Sequence, residues 1–343
     1  MEGIFLEEEK KNVWLVSAGN KGRDYSKYFL KHGILFVGGE KRYNRIKKIQ
    51  IGDFILLRKD ANKAIAVGEA VERNGEKHGI DEKSELLGDF DGWSLPYYHH
   101  IDWYGLSSPK TIKGSYRNAI EKSRKHKEAL KKFAKKIIRN YKPLEVEPTP
   151  KRVNKVEDKQ IINHLITEGL RPDDAEKLTN TFGGIRRLAQ YYRKEGKKIK
   201  EHETRTFLVI PLLIALGWSE QQIKIEYSVS KGGTIDIACF DRPFHKKNRK
   251  CKLLIETKGI KHGLDSAINQ VKGYANSFND CNIIAVSNGF CYKVFKLVNE
   301  DENKFKIIAY LNLLSPTKKF HLNPEVGGAL EVFSVLCPTV KYT

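Results

Sequence analysis

The C-terminal half contains two apolar stretches that each carry an acidic residue, Thr234-Ile-Asp-Ile-Ala-Cys-Phe240 and Cys251-Lys-Leu-Leu-Ile-Glu-Thr-Lys258. Both stretches predict buried β-strands. Alternation along a strand puts Glu256 and Lys258 on one face and Thr257 on the other. If the two strands are neighbours, Asp236 meets the pair. Charges buried in this way cost several kcal/mol unless they are paired or bind a metal.

These residue types favour one kind of chemistry. Converging carboxylates are hard oxygen ligands of the kind that Mg²⁺ prefers, and magnesium also binds through substrate phosphate. A neighbouring lysine orients a water molecule and offsets negative charge that builds on phosphorus. The pattern therefore predicts hydrolysis of a phosphodiester, with Mn²⁺ as an alternative metal. A surface salt bridge between Glu256 and Lys258 is the simpler alternative.

The order of elements around these strands resembles the PD-(D/E)xK nuclease superfamily, and more narrowly the nuclease domain of type I restriction enzyme R subunits, over about residues 195–300. The motifs that carry the resemblance are Glu203-Thr-Arg205, Asp236, Glu256-Thr-Lys258, Gln270-Val-Lys-Gly-Tyr274 and Val286-Ser-Asn-Gly289 followed by Tyr292.

The resemblance implies a role for each matching residue. Asp236 and Glu256 would bind the metal together with the Thr257 backbone carbonyl, and Lys258 would position the attacking water. Glu203 would hold metal-bound waters, and Gln270 and Tyr274 would lie at the DNA backbone. Helix packing is the alternative for Gln270 and Tyr274, and dipole stabilisation at a helix N-terminus is the alternative for Glu203. The chain lacks a G-x-x-x-x-G-K-[ST] loop, which argues against an ATP-driven translocase.

The first hundred residues alternate in short strand-like runs that predict a small β-barrel. The runs are Val13–Ser17, Ile34–Val37, Asp53–Leu57 and Ala64–Val71, followed by an aromatic cluster from Trp93 to Tyr104. The region resembles PUA-like domains of the EVE and YTH type, which implies an aromatic pocket that seats a flipped, modified base. Candidate pocket residues are Trp14, Ser17, Trp93, Tyr97, Trp103 and Tyr104; for each aromatic residue, a place in the core is the alternative.

The formal net charge is +20, so the chain attracts polyanions, and nucleic acid is the expected partner. A basic helix is predicted from Lys110 to Lys142, with one packed face and one positive face. Residues expected to contact phosphate are Arg42, Arg45, Lys47, Lys48, Arg117 and Arg124.

The proline-rich stretch from Pro143 to Pro150 cannot sustain a helix and predicts a domain boundary. We expect a PUA-like barrel at 1–110, a basic helix with helical linker at 111–195, and a mixed-sheet PD-(D/E)xK domain at 196–343. This is a two-domain α+β or α/β architecture. The linker helices are predicted at Asp158–Glu168 and Asp173–Arg193. The domain that follows is predicted to run in the order helix, strand, strand, strand, helix and strand, at Glu203–Leu216, Ile223–Tyr227, Ile235–Phe240, Lys252–Glu256, Leu264–Phe278 and Ile283–Ser287. Late strands are expected at Ile307–Leu311 and Val332–Cys337.

Other classes of protein are disfavoured. The five cysteines are widely and irregularly spaced, which predicts buried thiols rather than a zinc site. His99 and His100 have no metal-ligand spacing. The sequence has no long apolar run and no leader in residues 1–10, so we expect a cytoplasmic protein without a membrane partner.

These features together predict a modification-dependent DNA restriction endonuclease that uses magnesium. Its partner would be double-stranded DNA with a modified base. One such site cleaves one strand, so a homodimer is expected. The alternatives are a standalone defence or repair nuclease that reads unmodified DNA or RNA, and a non-catalytic nucleic-acid-binding protein.

Overall fold

The computed structural model describes residues 11–17, 19–20, 22–81, 89–149, 153–196, 198–229, 232–278, 280–299 and 304–338. The leader prediction for residues 1–10 lies outside this part. The chain is a mixed α+β protein with one curled half-barrel sheet and a second mixed sheet. It divides into two compact units, one within residues 1–20 and 24–151 and the other within 21–23 and 152–343.

The N-terminal unit is built on a seven-stranded sheet. Its strands and those of a small two-stranded sheet are β1 (Val13–Ser17), β2 (Gly19–Asn20), β3 (Arg23–Asp24), β4 (Ile34–Val37), β5 (Phe54–Asp60), β6 (Lys63–Ala70), β7 (His78–Ile80), β8 (Tyr97–Thr111) and β9 (Ile120–Lys122). The order in the large sheet is β4-β8-β6-β5-β1-β9, with β7 also paired to β8. All four predicted strand runs are confirmed, but the sheet is a half-barrel rather than a closed barrel.

Three helices accompany this sheet: α1 (Ser26–His32), α2 (Glu40–Ile46) and α3 (Lys127–Asn140). The prediction of one helix from Lys110 to Lys142 is wrong in its first half. Lys110 continues β8 and is paired with Ala64 of β6. Gly114 has a φ of 97°, which an α-helix cannot accommodate. Only α3 keeps the predicted pattern, and its apolar face packs on the sheet through Leu130 and Ala134.

The segment after α3 is extended, as its prolines predict. The backbone N–H of Leu144 donates to the Trp103 carbonyl, and that of Glu147 donates to the Lys31 carbonyl. The segment therefore belongs to the N-terminal unit.

A buried carboxylate organises one end of this sheet. Asp53 is 2% exposed and accepts hydrogen bonds from the backbone N–H of Asn12 (2.7 Å), the indole Nε1 of Trp14 (2.9 Å) and the backbone N–H of Gln50 (3.1 Å). The Asp53 side chain therefore joins β1 to the turn that precedes β5.

Replacing this carboxylate should weaken the N-terminal unit. We expect Asp53→Ala to lower the free energy of unfolding by about 3 kcal/mol, because buried N–H donors lose their acceptor. The urea midpoint measures the change. Asp60→Ala, at the exposed end of β5, is the matched control and should shift the midpoint little. An equal, small effect of both substitutions would contradict the structural role of Asp53.

The C-terminal unit is a six-stranded mixed sheet with helices around it. Its helices and turns are α4 (Asp158–Thr167), α5 (Pro172–Glu195), α6 (Glu201–Thr204), a π-helical turn (Arg205–Val209), α7 (Ile210–Ala215), a 3₁₀ turn (Glu220–Gln222), α8 (Asp265–Ala275) and α9 (Ala329–Leu336). Its strands are β10 (Ile223–Ser228), β11 (Thr234–Phe240), β12 (Cys251–Thr257), β13 (Ile283–Ser287), β14 (Cys291–Asn299) and β15 (Lys304–Asn312).

The strands lie in sequential order from β10 to β15, and only β12 and β13 are parallel. The connection between these two passes through α8, as a parallel pair requires. The predicted helices and strands from residue 158 to residue 287 are confirmed, and all five cysteines are buried.

One late element was predicted wrongly. Val332–Cys337 was expected as a strand, but it lies mostly in α9. The backbone N–H of Gly328 donates to the Glu331 carboxylate at 2.9 Å and so caps the helix. Val332, Phe333 and Leu336 then fall on one buried face. A short apolar run fits a strand or a buried helix equally well, and here the cap formed by Glu331 favours the helix.

In the described part of the chain, every helix is too short or too polar to span a bilayer.

Candidate active site

The two stretches that carry acidic residues lie side by side. β11 and β12 pair in antiparallel fashion, and Ile237 opposite Ile255 is the last registered pair. Asp236 therefore lies next to the end of β12, where Glu256, Thr257 and Lys258 follow one another. The sheet brings together residues that are about twenty positions apart in sequence.

Glu256 is the most deeply buried acid of this cluster, with 2% of its surface exposed. Its Oε1 accepts a 2.8 Å hydrogen bond from Lys258 Nζ, so the two side chains share a face as alternation predicts. Its Oε2 is buried, and no described residue provides a hydrogen-bond partner. Burial raises the pKa of Glu256 to about 7; the hydrogen bond from Lys258 opposes this shift and the charge of Asp236 adds to it.

Asp236 is fixed by three donors. Its Oδ1 accepts from Arg205, while its Oδ2 accepts from the backbone N–H and the hydroxyl of Thr257, both at 2.7 Å. The Thr257 hydroxyl was expected on the opposite face. It nevertheless reaches Asp236, at a point beyond the last registered pair of β11 and β12.

Arg205 is a further member of the cluster, to which the sequence alone gave no role. It is 7% exposed and bridges Asp236 to Glu226, whose Oε1 lies 2.6 Å from the guanidinium. Arg205 opens the π-helical turn, a feature frequent at functional sites. The packing of this turn also explains Gly289, where an added Cβ would lie 2.6 Å from Leu208. In the sequence, the position of Arg205 beside Glu203 in the motif Glu203-Thr-Arg205 was the feature that could have indicated its role.

Lys258 is well placed to act as a fixed cation. Burial lowers its pKa, but the hydrogen bond and charge of Glu256 more than compensate, so the pKa lies above the ordinary value. The ammonium therefore stays protonated at neutral pH. This favours an electrostatic and positioning role over that of a general base.

The helical residues of the predicted site divide into two groups. Gln270 Oε1 lies 3.4 Å from Lys258 Nζ, and Gln270 Nε2 lies 3.2 Å from the Tyr274 hydroxyl, so both extend the cluster. The Glu203 carboxylate instead accepts a 2.7 Å hydrogen bond from the backbone N–H of Lys200 and caps α6. Glu201, which the sequence analysis missed, lies 3.8 Å from Lys258 Nζ.

The oxygen donors that the structure brings together for a metal are the carboxylates of Asp236 and Glu256, on adjacent strands. The described residues contain no group of three or more His, Cys, Asp and Glu side chains placed to hold a metal. Magnesium typically needs only one or two carboxylates, and water and phosphate oxygens complete its shell. The unpartnered Glu256 Oε2 fits such a ligand, because a buried carboxylate oxygen normally has a partner.

The N-terminal unit has a cavity of about 690 Å³ of its own. Ser17 and Trp93 line it, as predicted for the base pocket, and so do Arg42, Arg45 and Arg117 from the predicted phosphate contacts. Further lining residues that the sequence analysis missed include Tyr25, Phe36 and Asn118. The cavity therefore combines aromatic walls with three arginines.

The remaining aromatic candidates lie elsewhere. Trp14 and Trp103 are 4% and 1% exposed, and both belong to the core. Tyr104 packs in the cluster under α3. Tyr97 stacks on Tyr43 with ring centroids 4.5 Å apart. The structure therefore brings only Ser17 and Trp93 of the predicted pocket set to the cavity wall.

The other predicted phosphate contacts, Lys47, Lys48 and Arg124, are exposed. Lys47 Nζ lies 4.9 Å from the Tyr43 ring. The exposed face of α3 adds Lys132, Lys136 and Arg139.

Comparison with known proteins indicates the class of protein to which this chain is related. A family match in the C-terminal unit indicates a protein related to restriction enzymes, which points to a nuclease with DNA as its partner. In particular, residues 200–311 match the family described as type I restriction enzyme R protein N terminus. The matched segment is less than half of the chain and runs from the start of α6 into β15. A search of curated proteins gave no matching relative.

The raised pKa of Glu256 predicts pH-dependent metal binding. Below pH 7 a proton competes with the metal for this carboxylate, and at pH 6 about a tenth of the groups are ionised. We expect Mn²⁺ affinity, measured by calorimetry, to be about tenfold weaker at pH 6 than at pH 8. Glu256→Gln should remove this difference. A wild-type affinity that is the same at both pH values would contradict the assignment.

Proposed function

We propose that this protein is a modification-dependent DNA restriction endonuclease, with a cleavage site of the PD-(D/E)xK type in the C-terminal unit and a PUA-like base reader in the N-terminal unit. The observation that carries the proposal is the Asp236–Glu256–Lys258 cluster, in which the buried Glu256 has a carboxylate oxygen with no partner among the described residues. The match to a restriction-enzyme family supports it.

Each side chain has a defined task in this proposal. Asp236, Glu256 and the Thr257 carbonyl would hold a magnesium ion, which when bound supplies charge for the phosphate and lowers the pKa of water. Arg205 and Thr257 hold the Asp236 carboxylate in place. Lys258 orients the water that attacks phosphorus and offsets the charge that develops there. Gln270 and Tyr274 would contact the strand beside the scissile phosphate, and Glu203 and Glu201 would hold waters near the site.

The 690 Å³ cavity would receive the extruded base. Its volume lies in the range of small-molecule sites. Trp93 and its aromatic neighbours offset the cost of unstacking, while Arg42, Arg45 and Arg117 hold the flanking phosphates. The exposed cations of α3 contact the duplex without regard to sequence. A homodimer would supply the second site that a double-strand cut needs.

A panel of duplexes tests the reader. Matched duplexes would carry cytosine, 5-methylcytosine, 5-hydroxymethylcytosine or N6-methyladenine, and cleavage would be measured with magnesium. We expect cutting of one modified duplex only. In Trp93→Ala the preference should fall by about tenfold or more, because base stacking contributes about 1–3 kcal/mol. Tyr141→Ala, an exposed aromatic outside the cavity, is the control. Equal cutting of all duplexes would favour a standalone nuclease instead.

A further inference from the structure

A second cavity, of about 330 Å³, lies in the C-terminal unit near the ends of β10 and β11 and just after α8. Its wall includes Tyr227, Phe240, Arg249, Ser277, Phe278 and Asp280. Neither the proposed cleavage site nor the proposed base reader uses these residues. The volume is at the lower end of the range for small-molecule sites.

The apolar part of the wall is made of three aromatic rings. Ring centroids are 5.6 Å apart for Tyr227 and Phe278 and 5.7 Å apart for Tyr227 and Phe240. The Arg249 guanidinium lies 5.2 Å from the Phe240 ring centroid. Aromatic faces beside a guanidinium plane form a surface on which a flat ring stacks.

The polar part of the wall contains two unsatisfied groups. Arg249 Nε and Ser277 Oγ are buried, and neither has a hydrogen-bond partner within the described ranges. Burying such donors without an acceptor is unfavourable, so their presence in a cavity points to a ligand that supplies acceptors. Asp280 is exposed, and its Oδ1 accepts a long hydrogen bond, 3.3 Å, from the backbone N–H of Cys251.

We propose that this cavity binds a guanine base. Guanine presents two acceptors, O6 and N7, on one edge, which match the N–H of Arg249 and the hydroxyl of Ser277. Its N1–H and N2 amino group are donors, which match the Asp280 carboxylate. The ring stacks on Tyr227 and Phe278. Adenine carries an amino group, which is a hydrogen-bond donor, where guanine carries the acceptor O6. With adenine in the cavity two donors, this amino group and the Arg249 N–H, would therefore face each other.

The base has two potential sources, a free guanine nucleotide or a guanine in a nucleic-acid strand. The strand is the source we favour, and this choice rests on the proposed nuclease function. A base held after α8 would fix the strand whose backbone meets Gln270 and Tyr274 on the same helix. The cavity would thereby add a preference for guanine near the cut, separate from the base reader in the N-terminal unit.

The test measures binding by the full-length protein without added metal. The probes are GMP and AMP, together with single-stranded thymidine decamers that carry one dG, dA, 7-deaza-dG or inosine. We expect dG to bind about tenfold tighter than dA, with 7-deaza-dG weakened because it lacks N7 and inosine weakened because it lacks the amino group. A guanine preference confined to the decamers identifies the strand, and one seen with GMP but not with the decamers identifies the free nucleotide.

Variants then locate the preference. Arg249→Met and Phe278→Leu should each abolish it, while Arg242→Met, which changes a neighbouring exposed arginine, should leave it intact. Glu256→Gln should also keep it. Equal binding of dG, dA and 7-deaza-dG by the wild-type protein, or a preference that persists in both cavity variants, would overturn the proposal.

The outcomes separate this proposal from the nuclease proposal. A guanine preference that the cavity variants remove, in a protein that cleaves no DNA, would retain the cavity and reject the nuclease. Cleavage by a protein with no guanine preference would do the reverse.

Discussion

Glu256→Gln is expected to reduce DNA cleavage by about a thousandfold, which corresponds to the several kcal/mol that a bound metal contributes to the transition state. The amide keeps the shape of the side chain but removes the charge that would hold the metal. The rate of cleavage in magnesium, with saturating DNA, is the measurement. Thermal unfolding of the same variant checks that the fold is intact.

The control for this substitution is Glu220→Gln, which changes an exposed acid of the 3₁₀ turn in the same unit. It should cleave at the wild-type rate. An active Glu256→Gln protein would remove Glu256 from the site and, with it, the proposed mechanism.

Arg205→Met should have the largest effect on stability. The guanidinium is 9% exposed and compensates Asp236, whose side chain is only 15% exposed. Removing one partner of a buried ion pair leaves an uncompensated charge, so we expect a loss of about 3 kcal/mol or more in the free energy of unfolding. Glu226 contributes little because it is largely exposed. Denaturant unfolding provides the measurement.

Two further variants make this prediction specific. Arg242→Met removes a half-exposed arginine paired with Asp241 and should change stability by less than about 0.5 kcal/mol. Asp236→Asn in the Arg205→Met background should restore part of the lost stability, because the stranded charge is gone. If the double variant is less stable than Arg205→Met alone, the charge of Asp236 is not the cause of the loss.

The elements of the C-terminal sheet were predictable because their signals are local. Apolar runs of strand length, bounded by glycine, polar and charged residues, gave β11, β12 and β13 almost to the residue. The strand prediction for Val332–Cys337 was wrong because an apolar run of that length is equally consistent with a helix. The prediction of a helix from Lys110 to Lys142 was wrong at its start because Lys110 pairs with β6, a contact between residues that are distant in sequence.

The acidic cluster of the candidate active site was only partly predictable. Strand alternation placed Glu256 beside Lys258, and adjacency of β11 and β12 brought Asp236 near them. The buried bridge from Arg205 to Asp236 and the approach of Glu201 to Lys258 depend on where a helix packs. No spacing in the sequence encodes that position.

The cavity of the N-terminal unit shows even more clearly what the sequence leaves open and the tertiary structure determines. Trp14, Trp93 and Trp103 are equivalent as residues, and the sequence does not rank them. Tertiary structure buried Trp14 against Asp53 and Trp103 in the sheet, and it brought Trp93 to a cavity with three arginines from two separate segments.

The sequence alone was enough to predict the strands and helices of the C-terminal unit from α4 to β13, the positive charge and the identity of the acidic and basic residues, because those depend on composition and on contacts within a few positions. Tertiary structure alone decided which carboxylate is buried without a partner, which arginine holds Asp236 and which aromatic residues line a cavity. Burial and hydrogen bonding depend on segments that are far apart in the chain, and they become defined only when those segments pack.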